Sequence, residues 1–287
     1  MIDVHSHVPT HRDRIPADEL IENAKWRPDR VVAATTTWAD YDEAFAGIDV
    51  SIAFTIARDR TRLDRALNDN VAAFVAAAPE RRIGFLSVHP EVAGAEDEVE
   101  RCRTELGLKG IKLGPNYQIF DPLAAPALRL YELAERHNLP IMFHQGASPV
   151  REAPLKYAHP LLMDEIAMRF PELRIVMAHL CHPWQRETIV TIRKHPHVYA
   201  DISATFYRPW SFYEGLRLAT EWGALGKLLL GSDFPIATPA ETIAGLRGVN
   251  DPIAGTALPA VPLDALEELI NRDSLSLLGL EHPGRLY

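Results

Sequence analysis

With 287 residues, 47% of them hydrophobic and 24% charged, the chain is globular and long enough to bury a substantial core. Its formal net charge of −9 argues against a nucleic-acid-binding surface, and no apolar run approaches the roughly 18 residues of a membrane span. The only cysteines, Cys102 and Cys181, lie far apart without zinc-ribbon spacing, which argues against a disulfide framework.

The first predicted strand covers residues 2–7, where apolar and polar residues alternate and His5 and His7 are two apart. Residues i and i+2 of a strand share a face, so the two imidazoles are expected side by side, with Asp3 on the same parity. Neutral imidazole nitrogen suits Zn²⁺ and similar divalent ions, so His-x-His at a strand end is half of a metal site. No signal peptide is expected ahead of this strand, because removing ~15–30 residues would take both histidines, and a cytoplasmic location follows.

Residues 8–49 are too long for one loop and helix and read as an insertion, with a small strand within Arg30–Thr37. Further strands are predicted at 50–56, 83–88, 108–113, 140–144, 174–179, 198–203 and 227–232. Helix-period segments such as Asn70–Ala76, Ala127–Ala134 and Leu161–Met168 fall between them. The chain closes with a helical segment over 262–287, where Leu263, Leu266, Leu269 and Ile270 share one side. Neither the insertion nor this segment reads as a separate domain, so residues 1–287 are expected to form one.

Strands nearly continuous in apolar residues and alternating with helices predict a parallel sheet, and eight units predict a closed (β/α)₈ TIM barrel. A doubly wound open sheet fits less well, because no glycine-rich phosphate loop follows the first strand. In a barrel, the strands' C-terminal ends converge on one mouth. That mouth would collect His5 and His7 from strand one, Lys112 from strand four, His144 from strand five, His179 from strand six and Asp233 from strand eight.

This constellation resembles the amidohydrolase superfamily, in the branch that includes aminocarboxymuconate semialdehyde decarboxylase. The resemblance rests on Asp3-Val4-His5-Ser6-His7, Gly110-Ile111-Lys112-Leu113, Leu139-Pro140-Ile141-Met142-Phe143-His144, Met177-Ala178-His179-Leu180 and Leu230-Gly231-Ser232-Asp233-Phe234-Pro235. It covers nearly the whole chain, and it implies one divalent metal, Zn²⁺ with Mn²⁺ as the alternative, held by His5, His7, His144 and Asp233. Zinc can bring a bound water to a pKa of about 7. Asp233 would accept its proton, and His179 would orient it or polarise a substrate oxygen. Lys112 stays open between a carboxylated bridge in a two-metal site, a holder of a substrate anion, and a structural ion pair. The resemblance also implies a homodimer.

Cations expected in the mouth loops are Arg12, Arg14, Arg58, Arg60, Arg151, Lys156 and Arg208. Arginine recognises carboxylates bidentately, so on an acidic protein they suggest a small anionic substrate, with Arg151 and Arg208 as its partners. Phe206, Tyr207, Trp210, Phe212 and Tyr213 are a candidate wall for a planar ligand, with Tyr117 and Phe120 as further candidates. His89 and His182 are expected in core and loop roles respectively. His195-Pro196-His197 precedes its strand and belongs to the opposite face. The reading is a metal-dependent hydrolase of a carboxylated ester, lactone or amide. A non-oxidative decarboxylase is the alternative, and a catalytically silent ligand-binding barrel a third.

Overall fold

The computed structural model describes residues 1–9, 15, 17–24, 26–33 and 35–284. Eight strands follow in order: β1 (Ile2–His7), β2 (Val50–Phe54), β3 (Arg82–Leu86), β4 (Gly110–Leu113), β5 (Ile141–Phe143), β6 (Ile175–Met177), β7 (Val198–Asp201) and β8 (Leu228–Leu229). Each pairs in parallel with the next. The ring is joined where Val4 N donates to Leu230 O and His7 N to Phe234 O, both at 2.9 Å. This is the expected TIM barrel, with all eight predicted strands in place.

Helices fill the intervals. After β1 come α1 (Ala17–Ala24) and α2 (Trp38–Ala44). Then α3 (Arg65–Ala76) follows β2, α4 (Ala95–Thr104) follows β3, and α5 (Pro115–Gln118) with α6 (Ala125–Arg136) follow β4. Next α7 (Leu161–Arg169) follows β5, α8 (Gln185–Lys194) follows β6, and α9 (Pro209–Glu221) follows β7. After β8 come α10 (Pro239–Arg247), α11 (Leu263–Ile270) and α12 (Ser274–Leu277).

The two faces of the barrel wall bury different sets of residues. Outward-facing Ile111, Phe143, Ile175 and Ala200 pack against helix residues such as Leu130, Ile166 and Leu216. Inward-facing Val50, Ile52, Phe85, Met142, Val176 and Leu229 fill the interior, where Leu275 and Leu278 join them from α12 and the residue just after it. Burying each such large apolar side chain is worth about 1.5–3 kcal/mol. With the interior packed solid, polar residues at the strands' C-terminal ends have only the mouth to occupy.

Two local expectations need correction. Arg30–Thr37 holds no strand among its described residues, and Thr37 is instead the N-cap of α2. Its hydroxyl accepts from Asp40 N, while Asp40 accepts from Thr37 N at 2.6 Å, a reciprocal cap. Val32 is buried but Val31 is 76% exposed, and β1 already pairs on both sides, so no sheet edge is open to that segment. In α11, Leu266, Leu269 and Ile270 are buried, whereas Leu263 is 57% exposed at the helix's first turn.

Candidate metal centre

The centre begins with an irregularity in β1. Pairing runs Ile2↔Val50 and Asp3↔Ser51, then resumes at Ser6↔Ala53 and His7↔Phe54, so β1 has one residue too many. This bulge breaks simple alternation. Ile2 and Val4 join the apolar interior, yet His5 and His7 also turn inward above them, edge-on to the Phe54 ring at 5.0 and 5.1 Å. Asp3 therefore does not share their role. Its Oδ1 accepts from His5 N at 2.9 Å and Ser232 N at 3.2 Å, tying the bulge to the end of β8. Burial outweighs those bonds and raises its pKa to about 7.

Opposite them, Asp233 N donates to His5 O at 2.7 Å, and Asp233 takes a left-handed φ of 65°. That conformation costs a non-glycine residue about 1–3 kcal/mol and turns the carboxylate into the mouth. Its Oδ1 lies 3.2 Å from Nε2 of both His5 and His7. Close approach of the strands is possible because Gly231 has no side chain; a Cβ there would sit 2.8 Å from the His5 Cβ. Ligand atoms of His5, His7 and Asp233 lie within 4.8 Å of one another, all buried. Although close to Asp233, His5 Nε2 makes no aligned hydrogen bond. Two imidazoles and a carboxylate aimed at common ground suit a divalent cation.

Sequence reasoning missed what holds these groups: Asp201, at the end of β7 and fully buried. His5 Nδ1 donates to Asp201 Oδ2 at 2.8 Å. Asp201 Oδ1 accepts from His179 N and Ser203 N, each at 3.0 Å, and from the Ser203 hydroxyl. Because that hydroxyl proton is spent on Asp201, His179 Nδ1 must donate to Ser203 Oγ, 2.9 Å away. Burial keeps His179 neutral, with a pKa lowered to about 4, so its Nε2 accepts from His144 Nδ1 at 3.1 Å. His144 is likewise held well below the usual imidazole range by burial and by His179. One carboxylate thus sets three imidazoles: lone pairs remain on buried His144 Nε2 and, once a cation replaces its proton, on His5 Nε2. Burial and Lys112 oppose protonation of His5, but Asp201 and Asp233 outweigh them and raise its pKa. A carboxylate ending the run Val198-Tyr199-Ala200-Asp201 was the available signal.

Asp201 also belongs to a second cluster, with His5 and His179. Its oxygens are already committed to the donors just named, so that cluster is a hydrogen-bond network. His144 stands outside the first trio but lines the same cavity as His7, Lys112, His179 and Asp233. Lys112 is fully buried, its Nζ 4.4 Å from the Phe54 ring centroid and without a hydrogen bond among the described residues. Burial, only partly opposed by Asp201 and Asp233, lowers its pKa to about 8.

Of the expected substrate cations, Arg208 and Arg58 line the cavity; Arg151 does not and is exposed. Arg12 and Arg14 lie outside the described residues. The aromatic wall is only partly the predicted one: Tyr117 lines the cavity as expected and Trp26 joins it, while Phe120, Phe212 and Tyr213 are packed in the core and Trp210 is 58% exposed. His182 lines the cavity too, its Nδ1 accepting from Gln185 Nε2 at 3.0 Å. His89 is a satisfied core residue, donating from Nε2 to Gln118 O at 2.8 Å. His195 and His197, ahead of β7, face Asp164 and Glu172 on outer segments.

The amidohydrolase family model matches residues 2–267. The chain belongs to the amidohydrolase family. Solved relatives share the fold at low identity. An uncharacterised TIM-barrel protein from Bordetella bronchiseptica is 19% identical, with 99% of each chain covered and a TM-score of 0.71. A 5-carboxyvanillate decarboxylase from Sphingomonas paucimobilis is 16% identical, covering 98% of this chain and 99% of its own, at 0.65. A probable 2-pyrone-4,6-dicarboxylic acid hydrolase from Acinetobacter baumannii is 15% identical, covering 97% and 99%, at 0.62. The chain thus shares its barrel with proteins described as a decarboxylase and as a probable hydrolase. Among its described residues no helix is long and apolar enough to cross a membrane.

Proposed function

We propose that the chain is a metal-dependent hydrolase of a small carboxylated ester, lactone or amide. The observation that carries this is the convergence of His5, His7 and Asp233 at a cavity also lined by Lys112 and Arg208. His5, His7, His144 and Asp233 would hold one divalent ion, zinc by ligand type with manganese as the alternative. That ion would supply Lewis-acid polarisation of a carbonyl and acidify a water. Asp233 accepts the proton at its carboxylate. His179, its Nδ1 fixed by Ser203, would orient the attacking water through Nε2 once that nitrogen exchanges its bond with His144 Nδ1 for one with the water. Lys112 and Arg208 seat the substrate's anionic group, and the packed interior beneath Phe54 keeps bulk water from below.

Lys112 also favours a second reading, non-oxidative decarboxylation. A cation buried beside the ligand cluster could hold a carboxylate next to the bond that breaks, and a 5-carboxyvanillate decarboxylase has this fold. Elemental analysis should find one divalent ion per chain. Screening carboxylated esters, lactones and amides beside carboxylated phenols, with CO₂ detection, separates the readings: hydrolysis without CO₂ supports the first, CO₂ release the second. Arg208→Gln should raise KM while Arg151→Gln leaves it unchanged. A protein that cannot be loaded with any divalent metal would remove both readings and leave a silent barrel.

A further inference from the structure

Among the described residues three cations line the cavity, and their environments differ. Lys112 Nζ has no hydrogen-bond partner among those residues. Arg208 makes no ion pair among the described residues; its guanidinium lies 4.9 and 4.8 Å from the Trp26 and Tyr207 ring centroids and donates to Trp26 O at 3.3 Å. Arg58, just after β2, is paired. Its Nη1 donates to both carboxylate oxygens of Glu19, at 2.6 and 2.8 Å. Glu19 comes from α1, and its side chain is only 11% exposed within the cavity lining.

The pair also has a definite position. Arg58 lies 5.9 Å from the Tyr117 ring centroid, and the Tyr117 ring lies 4.5 Å from that of His144. One ring therefore separates Arg58 from the metal-ligand side. A group bound by Arg58 would be the far end of a substrate whose reacting end is at Asp233.

We propose that Glu19 is a charge selector: it occupies Arg58 as a resident carboxylate, so the cavity takes substrates with one carboxylate, seated by Arg208 and Lys112, and rejects dicarboxylates. A second substrate carboxylate would have to displace Glu19 and leave it partly buried beside a like charge, which is costly on both counts. Specificity of this kind comes from a built-in repulsion as much as from an attraction. The inference rests on the proposed carboxylated substrate.

Calorimetric titration of the metal-loaded, full-length protein with benzoate and with benzene-1,3-dicarboxylate tests it. Wild type should bind benzoate more tightly than the dicarboxylate. Glu19→Gln frees Arg58 and should tighten dicarboxylate binding about tenfold to a hundredfold, the range of a charge-assisted hydrogen bond, while leaving benzoate unchanged. The double variant Glu19→Gln/Arg58→Gln should lose that gain, which a merely loosened α1 would not. Equal tightening of both ligands, or an unaltered preference, overturns the selector. If benzoate binds and weakens in Arg208→Gln while Glu19→Gln changes nothing, the selector alone fails. If neither ligand binds wild type or any variant, the carboxylated-substrate reading fails and the selector with it.

Discussion

Replacing Asp201 by asparagine should cost this protein its metal without costing it its fold. Asp201 Oδ1 accepts from two backbone N–H groups, of His179 and Ser203, and from the Ser203 hydroxyl, whereas Oδ2, among the described residues, accepts from His5 Nδ1 alone. An asparagine will keep its oxygen on the three-donor side, because an NH₂ there would oppose two backbone donors. Its NH₂ then faces His5 Nδ1, which must become an acceptor. The imidazole proton moves to Nε2, the atom 3.2 Å from Asp233, and that nitrogen can no longer ligate. Loss of such an outer partner typically lowers metal affinity about 10–100-fold, which is roughly 1.4–2.8 kcal/mol. Competition for zinc against a fluorescent chelator measures the change, and nitrogen NMR of the His5 ring reports the tautomer. Metal-free Asp201→Asn should keep the parent's circular dichroism. Zinc binding as tight as in the parent, with His5 still protonated on Nδ1, would refute the reasoning.

Two other outcomes follow from different parts of the structure. His179→Asn should retain nearly all its metal while turnover falls about 10²–10⁴-fold, the usual range for a lost acid–base group; metal loss as easy as in His5→Asn would make His179 a ligand. Glu98 accepts from Arg101 at 2.9 and 2.8 Å and from Asn68 at 3.0 Å; burial pushes its pKa up, but these donors outweigh it and hold it below the usual value. A depressed carboxylate pKa stabilises the fold above the unfolded value of about 4.3 and ceases to do so as pH falls through the folded one. Urea unfolding should therefore show Glu98→Gln less stable by about 1–3 kcal/mol at pH 7, with the gap closing in acid; a gap that does not vary with pH contradicts this.

Much of the site is local information. A strand is written in a run such as Pro140-Ile141-Met142-Phe143-His144, and the residue that ends the run is carried to the barrel mouth wherever the chain goes next. Eight such runs separated by helical segments suffice for the barrel, and their terminal histidines, lysine and aspartate for the candidate ligands. The same logic applied to Val198-Tyr199-Ala200-Asp201 would have included the carboxylate that orients His5 and His179.

What the sequence could not decide is lateral. Two-residue alternation placed Asp3 with His5 and His7, but the β1 bulge depends on how β1 pairs with β2, so only the folded sheet reveals the switch. Arg151 and Arg208 read alike as loop cations, yet Arg208 rests on Trp26 in the cavity and Arg151 lies exposed outside it. Trp26 and Glu19 belong to a segment whose pattern gave no cue to its path. It reaches the mouth because Arg27 donates to Ile236 O and to Glu241 beyond β8, more than 200 residues away in sequence. Periodicity encodes what each residue does along its own element. Which side chains meet across the mouth is set by ring closure, register and inter-element contacts, and those exist only after the chain has folded.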